Sequence, residues 1–270
     1  MHSSLNQMAG DAADRHPLPD ATVADALDAP EPVGWAPERA LAGGIYGFNS
    51  IDPRSRSFNL VRGRLLELKR ARNMRLIGVV SATPNVGKSF VSANISASLS
   101  RDPQIRTFAV DLDLRRGSLS SQFGIVPDNG LNDYLANGGR FETYLLDGEA
   151  LTIIPTRGGM VHSAELLASA RARGMFQAMR RSNPDNVFIC DLPPVFANDD
   201  AVATMAYLDA YVVVSEEGLT TEKEIKDSVE TLGRQKLAGI ILNKFKGGLV
   251  SDGYGVDSYY AVGYGEERRK

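Results

Sequence analysis

The chain has 270 residues, 43% of them hydrophobic, with 30 Lys/Arg against 33 Asp/Glu and a formal net charge of −3. That length holds one sizeable α/β domain with a tail or two, and a charge so near neutrality argues against a nucleic-acid partner. The single cysteine, Cys190, excludes an internal disulfide, and His2, His16 and His162 form no ligand cluster with it for a structural zinc.

Residues 1–50 carry seven acidic and two basic side chains, with Pro17, Pro19, Pro30, Pro32 and Pro37. Such a composition predicts a disordered acidic segment, because it buries too little apolar surface to offset the entropy of ordering it. Trp35, Ile45, Tyr46 and Phe48 are the candidates for local docking. The first thirty residues lack the apolar core of a signal peptide, and no stretch of the chain approaches the ~20 apolar residues that span a bilayer. A cytoplasmic protein is expected, one that reaches the inner membrane through a partner.

The charge then reverses: between Arg54 and Arg75 lie eight Lys/Arg and one acid, Glu67. Phe58, Val61, Leu65 and Leu68 share one helical face, which predicts a basic helix over 55–72 with Ser55 or Ser57 as its cap. From residue 76 short apolar runs alternate with helical stretches. Leu76–Val80, Phe108–Val110, Leu151–Ile154, Val187–Cys190, Tyr211–Val214 and Gly239–Leu242 read as buried strands, and Phe90–Leu99, Ala164–Arg180 and Thr221–Arg234 as helices. This alternation predicts a mostly parallel, doubly wound α/β sheet with helices on both faces, over residues 51–245. Residues 246–270 read as a flexible Tyr/Gly-rich tail.

Strand one runs into ATPNVGKS, residues 82–89, and a helix follows. This is a phosphate-loop pattern, in which backbone N–H groups and the helix N-terminus bind phosphate oxygens. Gly87 admits close backbone approach, Lys88 sets a charge on the outer phosphates and the Ser89 hydroxyl ligates Mg²⁺. Ala82, Thr83, Pro84, Asn85, Val86, Gly87, Lys88, Ser89 and Phe90 are the candidate cofactor-binding residues, with ATP and Mg²⁺ as cofactors. Asp111 and Asp113 follow one apolar run and stand on the same side if the strand continues through them; Asp191 ends another. Carboxylates at strand ends above a parallel sheet suit metal coordination and proton acceptance.

Taken together, ATPNVGKS, FAVDLDLR and FICDLPP resemble the bacterial tyrosine kinases of capsule and exopolysaccharide synthesis, whose catalytic domain is a modified P-loop ATPase. GLNDYLANG, AELLAS and GIILNK also resemble strings of that family, and the likeness runs over most of residues 76–245. The resemblance implies that Lys88 and Ser89 bind the outer phosphates and Mg²⁺, and that Asp111, Asp113 and Asp191 divide metal coordination and base catalysis, with Ser89, Asp113 and Asp191 as the metal ligands. It places Arg115 near the phosphates or a subunit contact, and Asn243 near the adenine. It also implies that Tyr254, Tyr259, Tyr260 and Tyr264, four of the nine tyrosines, are phosphoacceptors for an autokinase regulating polymer synthesis and export. Each phosphotyrosine adds about −1.5 to −2 charge, enough to disturb the packing of neighbouring tails.

Three departures qualify the likeness. Of the family's Glu-x-x-Arg-x-x-Arg contact, which builds a homo-oligomeric ring, this chain has Arg56, Asn59 and Arg62, so only the last position is kept; Asn85 stands where glycine is common. The membrane-spanning half that many members carry is absent, which implies a separate membrane adaptor of the polysaccharide co-polymerase type. A nucleotide-switched regulatory subunit with little kinase activity is the second reading. A positioning ATPase of the partition or cell-division type is a distant third, since those proteins carry lysine where this chain has Thr83.

Overall fold

The computed structural model describes residues 21–246. In chain order these form α1 (Ala21–Asp28), β1 (Glu31–Val33), α2 (Pro37–Ala42), α3 (Arg56–Arg72), β2 (Leu76–Ser81), α4 (Lys88–Leu99), β3 (Arg106–Asp111), α5 (Leu119–Gln122) and α6 (Leu131–Asn137). There follow β4 (Tyr144–Leu146), β5 (Leu151–Ile154), α7 (Ser163–Leu167), α8 (Ala170–Arg181), β6 (Asn186–Asp191), α9 (Asp200–Met205), β7 (Ala210–Glu216), α10 (Glu222–Leu232) and β8 (Leu237–Asn243). The sheet order is β1-β4-β5-β3-β6-β2-β7-β8. Its six central and distal strands, from β5 to β8, pair in parallel, and only β4 runs against its neighbour β5.

Parallel strands must be covered on both faces, so their sequences are apolar throughout rather than alternating. Accordingly β2, β5 and β6 are buried at every position. Successive side chains point to opposite faces. Leu76, Val80, Phe108, Phe188 and Tyr211 pack with Met175, Phe176 and Met179 of α8 and with Val229 and Leu232 of α10. Ile77, Val79, Ile189, Val212 and Val214 pack on the other side with Phe58, Leu65 and Leu68 of α3 and Val91, Ile95 and Leu99 of α4. The doubly wound architecture is borne out.

Three expectations are corrected. The acidic composition of residues 1–50 predicts disorder, yet from residue 21 onward the segment forms two helices and an edge strand that wrap the sheet. Its few apolar residues are well placed: Val23, Leu27, Ala40 and Ile45 are buried, and Trp35 packs between Phe48 and Phe123. Asn94 of α4 then ties the chain down, accepting the N–H groups of Tyr46 and Gly47 and donating to the Gly44 carbonyl. Second, Ala164–Arg180 is two helices, because Ser169 adopts an extended conformation and caps α8 by accepting from Ala172 N at 3.1 Å. Third, β3 ends at Asp111, so strand alternation does not place Asp113. The tyrosine-rich segment lies outside the described residues.

Candidate functional site

The site gathers at the C-terminal ends of β2, β3 and β6, beside the start of α4. The chain leaves β2 at Ser81, whose hydroxyl donates to Thr83 O at 2.8 Å, and turns through Asn85 and Gly87 with φ of 66° and 88°. These left-handed positions suit asparagine and glycine and re-aim the backbone before α4 begins at Lys88. Within this loop Ala82 and Val86 are buried, Thr83 is partly exposed, and Pro84 and Asn85 are exposed. Phe90, one turn on, packs its ring on Tyr46 and Phe58, so its side chain belongs to the core rather than to the loop's inner surface.

Lys88 is the hub. Its Nζ lies 3.1 Å from Asp113 Oδ2 and 3.5 Å from Asp191 Oδ1, and its side chain is only 8% exposed. Asp191 also accepts Ser89 Oγ at 2.6 Å and Ser92 Oγ at 3.0 Å, and Ser89 Oγ meets Ser118 Oγ at 2.8 Å. Asp111 pairs in register with Asp191 across β3 and β6. Its two oxygens accept backbone N–H groups, Asp113 N at 3.1 Å and Leu119 N at 2.9 Å. Asp111 thus shapes the turn that swings Asp113 back to Lys88, supplying by a turn what strand alternation does not.

Burial sets the electrostatics. It raises the Asp111 pKa well above the ordinary carboxylate value, with the Asp191 charge adding to the effect. Burial also raises Asp191, opposed by Lys88 and by the Ser89 and Ser92 hydroxyls. For Lys88 burial works against the charge, but Asp191, Asp113 and Asp111 outweigh it and its pKa is raised. The neighbouring carboxylates thus favour the charged form of Lys88, while burial works against the charge of Asp111 and Asp191.

Asn243 ends β8 against the phosphate loop, its Nδ2 donating to Val86 O at 2.8 Å. Arg115, by contrast, turns away from the loop: its Nε donates to Ser163 Oγ at 2.9 Å and lies 3.8 Å from Asp200 Oδ2. Sequence reasoning overlooked Ser92, Ser118, Arg116 and Lys244. Ser92 was findable, three residues from Ser89 and therefore on the same helical face. Arg116 donates to Asn85 Oδ1 at 2.9 Å, and Lys244 Nζ to Asn85 O at 2.9 Å and Glu216 Oε2 at 2.8 Å. The D-x-D-x-R pattern singles out Arg115 rather than Arg116; the turn after Asp113 decides which faces the loop.

A family model described as the CobQ/CobB/MinD/ParA nucleotide binding domain matches residues 77–253. The chain belongs to that family, and the strand–loop–helix at Ala82–Ser89 lies within the matched residues. Among curated proteins it is 32% identical over 180 residues to the tyrosine-protein kinase ptk of Acinetobacter johnsonii, covering 66% of this chain and 24% of that one. It is 30% identical over 177 residues to the succinoglycan biosynthesis transport protein ExoP of Rhizobium meliloti, covering 63% and 22%. The chain thus spans about a quarter of the length of these relatives. The solved kinase domain of the Escherichia coli tyrosine kinase ETK superposes with a TM-score of 0.62 at 27% identity, over 72% of this chain and 77% of that one. The resemblance to bacterial tyrosine kinases read from the motifs is borne out.

Proposed function

We propose that this chain is an ATP-dependent protein-tyrosine autokinase of capsule or exopolysaccharide production, with the 254–264 tyrosines as acceptors and a separate membrane adaptor as partner. The observation that carries this reading is the convergence of Lys88, Ser89, Asp113 and Asp191 into one hydrogen-bonded cluster beside the phosphate loop. Two carboxylates and a hydroxyl are hard oxygen donors, a set that fits Mg²⁺ completing its shell with phosphate oxygens and water. When bound, the ion would offset charge on the transferring phosphoryl group.

The chain's own residues supply the rest. Backbone N–H groups of the loop and of the first turn of α4 hold the phosphates. Lys88 exchanges part of its contact with Asp113 and Asp191 for the outer phosphate oxygens, leaving those carboxylates to orient the ion or accept the phenolic proton. Asp111 has both oxygens committed to the backbone and acts by holding Asp113. The described chain ends at Lys246, two residues past the Lys244 contact with Asn85, and its N–H donates to Glu217 Oε2 at 2.6 Å. From there Tyr254 is eight residues on, within about 28 Å of extended chain.

One observation favours the second reading, a nucleotide-switched regulatory subunit. Asn59, at the middle position of the ring-contact pattern, is engaged within the chain, accepting from Arg101 and from Ser98 Oγ. Incubation of the purified protein with Mg-ATP, with and without a candidate adaptor, followed by mass spectrometry separates the two. Phosphate on the tail tyrosines that disappears in Lys88→Ala supports the kinase. Nucleotide binding with no tail phosphate under either condition leaves the regulatory subunit.

A further inference from the structure

A D-x-D-x-R reading points to Arg115 as the cation of the β3 loop, but that guanidinium is engaged with Ser163 and the buried Asp200. Its neighbour takes the position at the mouth. Arg116 bridges from the β3 turn to the tip of the phosphate loop, where it meets the Asn85 side chain. The turn beneath it is fixed: Arg116 N bonds Asp113 Oδ1 at 3.2 Å and Asp113 O at 3.0 Å. Gly117 follows at φ +63°, with the backbone of Thr156 and Gly158 2.7 Å from where a Cβ would stand. The acceptor is fixed as well, since Asn85 sits in the left-handed region with its carbonyl held by Lys244.

The charges around this rim are unequal. Lys88 has Asp113 and Asp191, and Lys244 has Glu216. Arg116 is exposed and makes no ion pair with any described residue. Arginine carries five N–H donors in a planar fork that matches phosphate geometry, and here one of them meets a neutral amide oxygen. An uncompensated guanidinium parked on the tip of a phosphate loop lacks the anion its donors suit.

We propose that Arg116 reads the outermost phosphate of the bound nucleotide, with Asn85 holding the guanidinium at the rim until that phosphate arrives. The inference rests on the nucleotide-binding reading above and deepens it: Arg116 becomes the residue that distinguishes a nucleoside triphosphate from a diphosphate. It also gives Asn85 a role that glycine cannot fill, combining tolerance of positive φ with a side-chain acceptor.

The test is calorimetric titration of the full chain with Mg-ADP and with the β,γ-imido analogue of Mg-ATP. Wild type, Arg116→Ala, Arg116→Lys, Lys88→Ala and a remote exposed control, Arg140→Ala, are compared, with thermal melts to confirm folding. Arg116→Ala is expected to weaken the triphosphate at least about tenfold while moving the diphosphate less than about threefold. Arg116→Lys should recover part of the preference, and Arg140→Ala should leave it unchanged. Equal weakening of both nucleotides by Arg116→Ala, or of neither, overturns the proposal. Wild type binding neither nucleotide removes the underlying reading and this proposal together. Binding by wild type that Lys88→Ala abolishes keeps the underlying reading, whichever way Arg116 falls.

Discussion

Lys88 illustrates how one side chain serves binding and stability together. It is the only cation in ion-pair contact with Asp113 and Asp191 among the described residues, and both carboxylates are buried. Removing one partner of a buried pair strands the other charge, at a cost of about 3–5 kcal/mol. Lys88→Ala is therefore expected to lower the urea midpoint as well as to abolish nucleotide binding. The pH dependence follows from Asp191, whose folded pKa is already raised by burial. A carboxyl raised in the folded state contributes its stability below its unfolded pKa and loses it as pH rises through the folded value. Without Lys88 that rise is larger, so the gap between wild type and variant should widen from pH 5 to pH 8. A gap that is constant across that range would mean the Asp191 carboxylate does not depend on Lys88 for its charge. The rim shows the complementary case: Arg115 and Arg116 are identical in the sequence, and only the fixed turn from Asp113 to Gly117 assigns one to Asp200 and the other to Asn85.

At the scale of elements, the segment before α3 is held to α4 by a contact that tolerates no enlargement. A Cβ on Gly47 would stand 2.2 Å from Asn94 O and 2.9 Å from Ser98 N, both backbone atoms of a buried helix. Gly47→Ala should therefore detach residues 44–48, and Asn94→Ala should loosen the same stretch by leaving the Tyr46 and Gly47 N–H groups without their acceptor, at about 1–3 kcal/mol. Hydrogen exchange that speeds up at 44–48 in both variants, with β2 and β3 unchanged, is the expected pattern. Uniform protection would show that the tether is not local. This strap also marks the limit of what was legible in the sequence. Five of the six longer strands stood out because parallel pairing buries both faces and demands unbroken apolar runs, as in Val187–Cys190; β8, expected to be buried, is instead an edge strand with Ile240 and Leu242 half exposed. β1 and β4 are three residues each, too short for a period, and β1 carries Pro32, which an edge strand accepts but a sequence pattern discounts. The phosphate loop and Asp191 were legible because their chemistry is local. Asp113 was named through the motif resemblance, but its path to Lys88 was not legible, since it depends on Asp111 capping a turn from eight residues away at Leu119.

For the molecule as a whole, the strand order puts β2 between β6 and β7, with β3 beyond β6, so that every site residue leaves the sheet from the same edge. A ligand bridging that edge should stabilise the entire fold. At a hundred times its dissociation constant the linkage is worth about 2.7 kcal/mol, or roughly 5–10 °C in Tm for a domain of this size. Mg-ATP should produce that shift in the wild type and none in Lys88→Ala, as read by scanning calorimetry. The N-terminal segment belongs to the same cooperative unit, against the expectation from its composition. Its α1 packs on α8 on one face, β1 closes the sheet edge beside β4, and Ile45 is buried on the other face near α4. Val23, Leu27 and Ile45 are each almost wholly buried. Full burial of such side chains contributes about 1.5–3 kcal/mol apiece, so the three together supply several kcal/mol of a net stability that is about 5–15 kcal/mol for a typical domain. Deleting residues 1–50 should thus do more than shorten the chain. It uncovers Phe123 and the outer edge of β4, and leaves Asn94 buried with three lost partners. We expect the truncated protein to lose most of its unfolding free energy and to associate through the exposed edge strand. Urea denaturation followed by circular dichroism, with light scattering for association, measures both effects. A truncated chain that keeps the full-length midpoint and stays monomeric would show that the segment lies on the domain without supporting it.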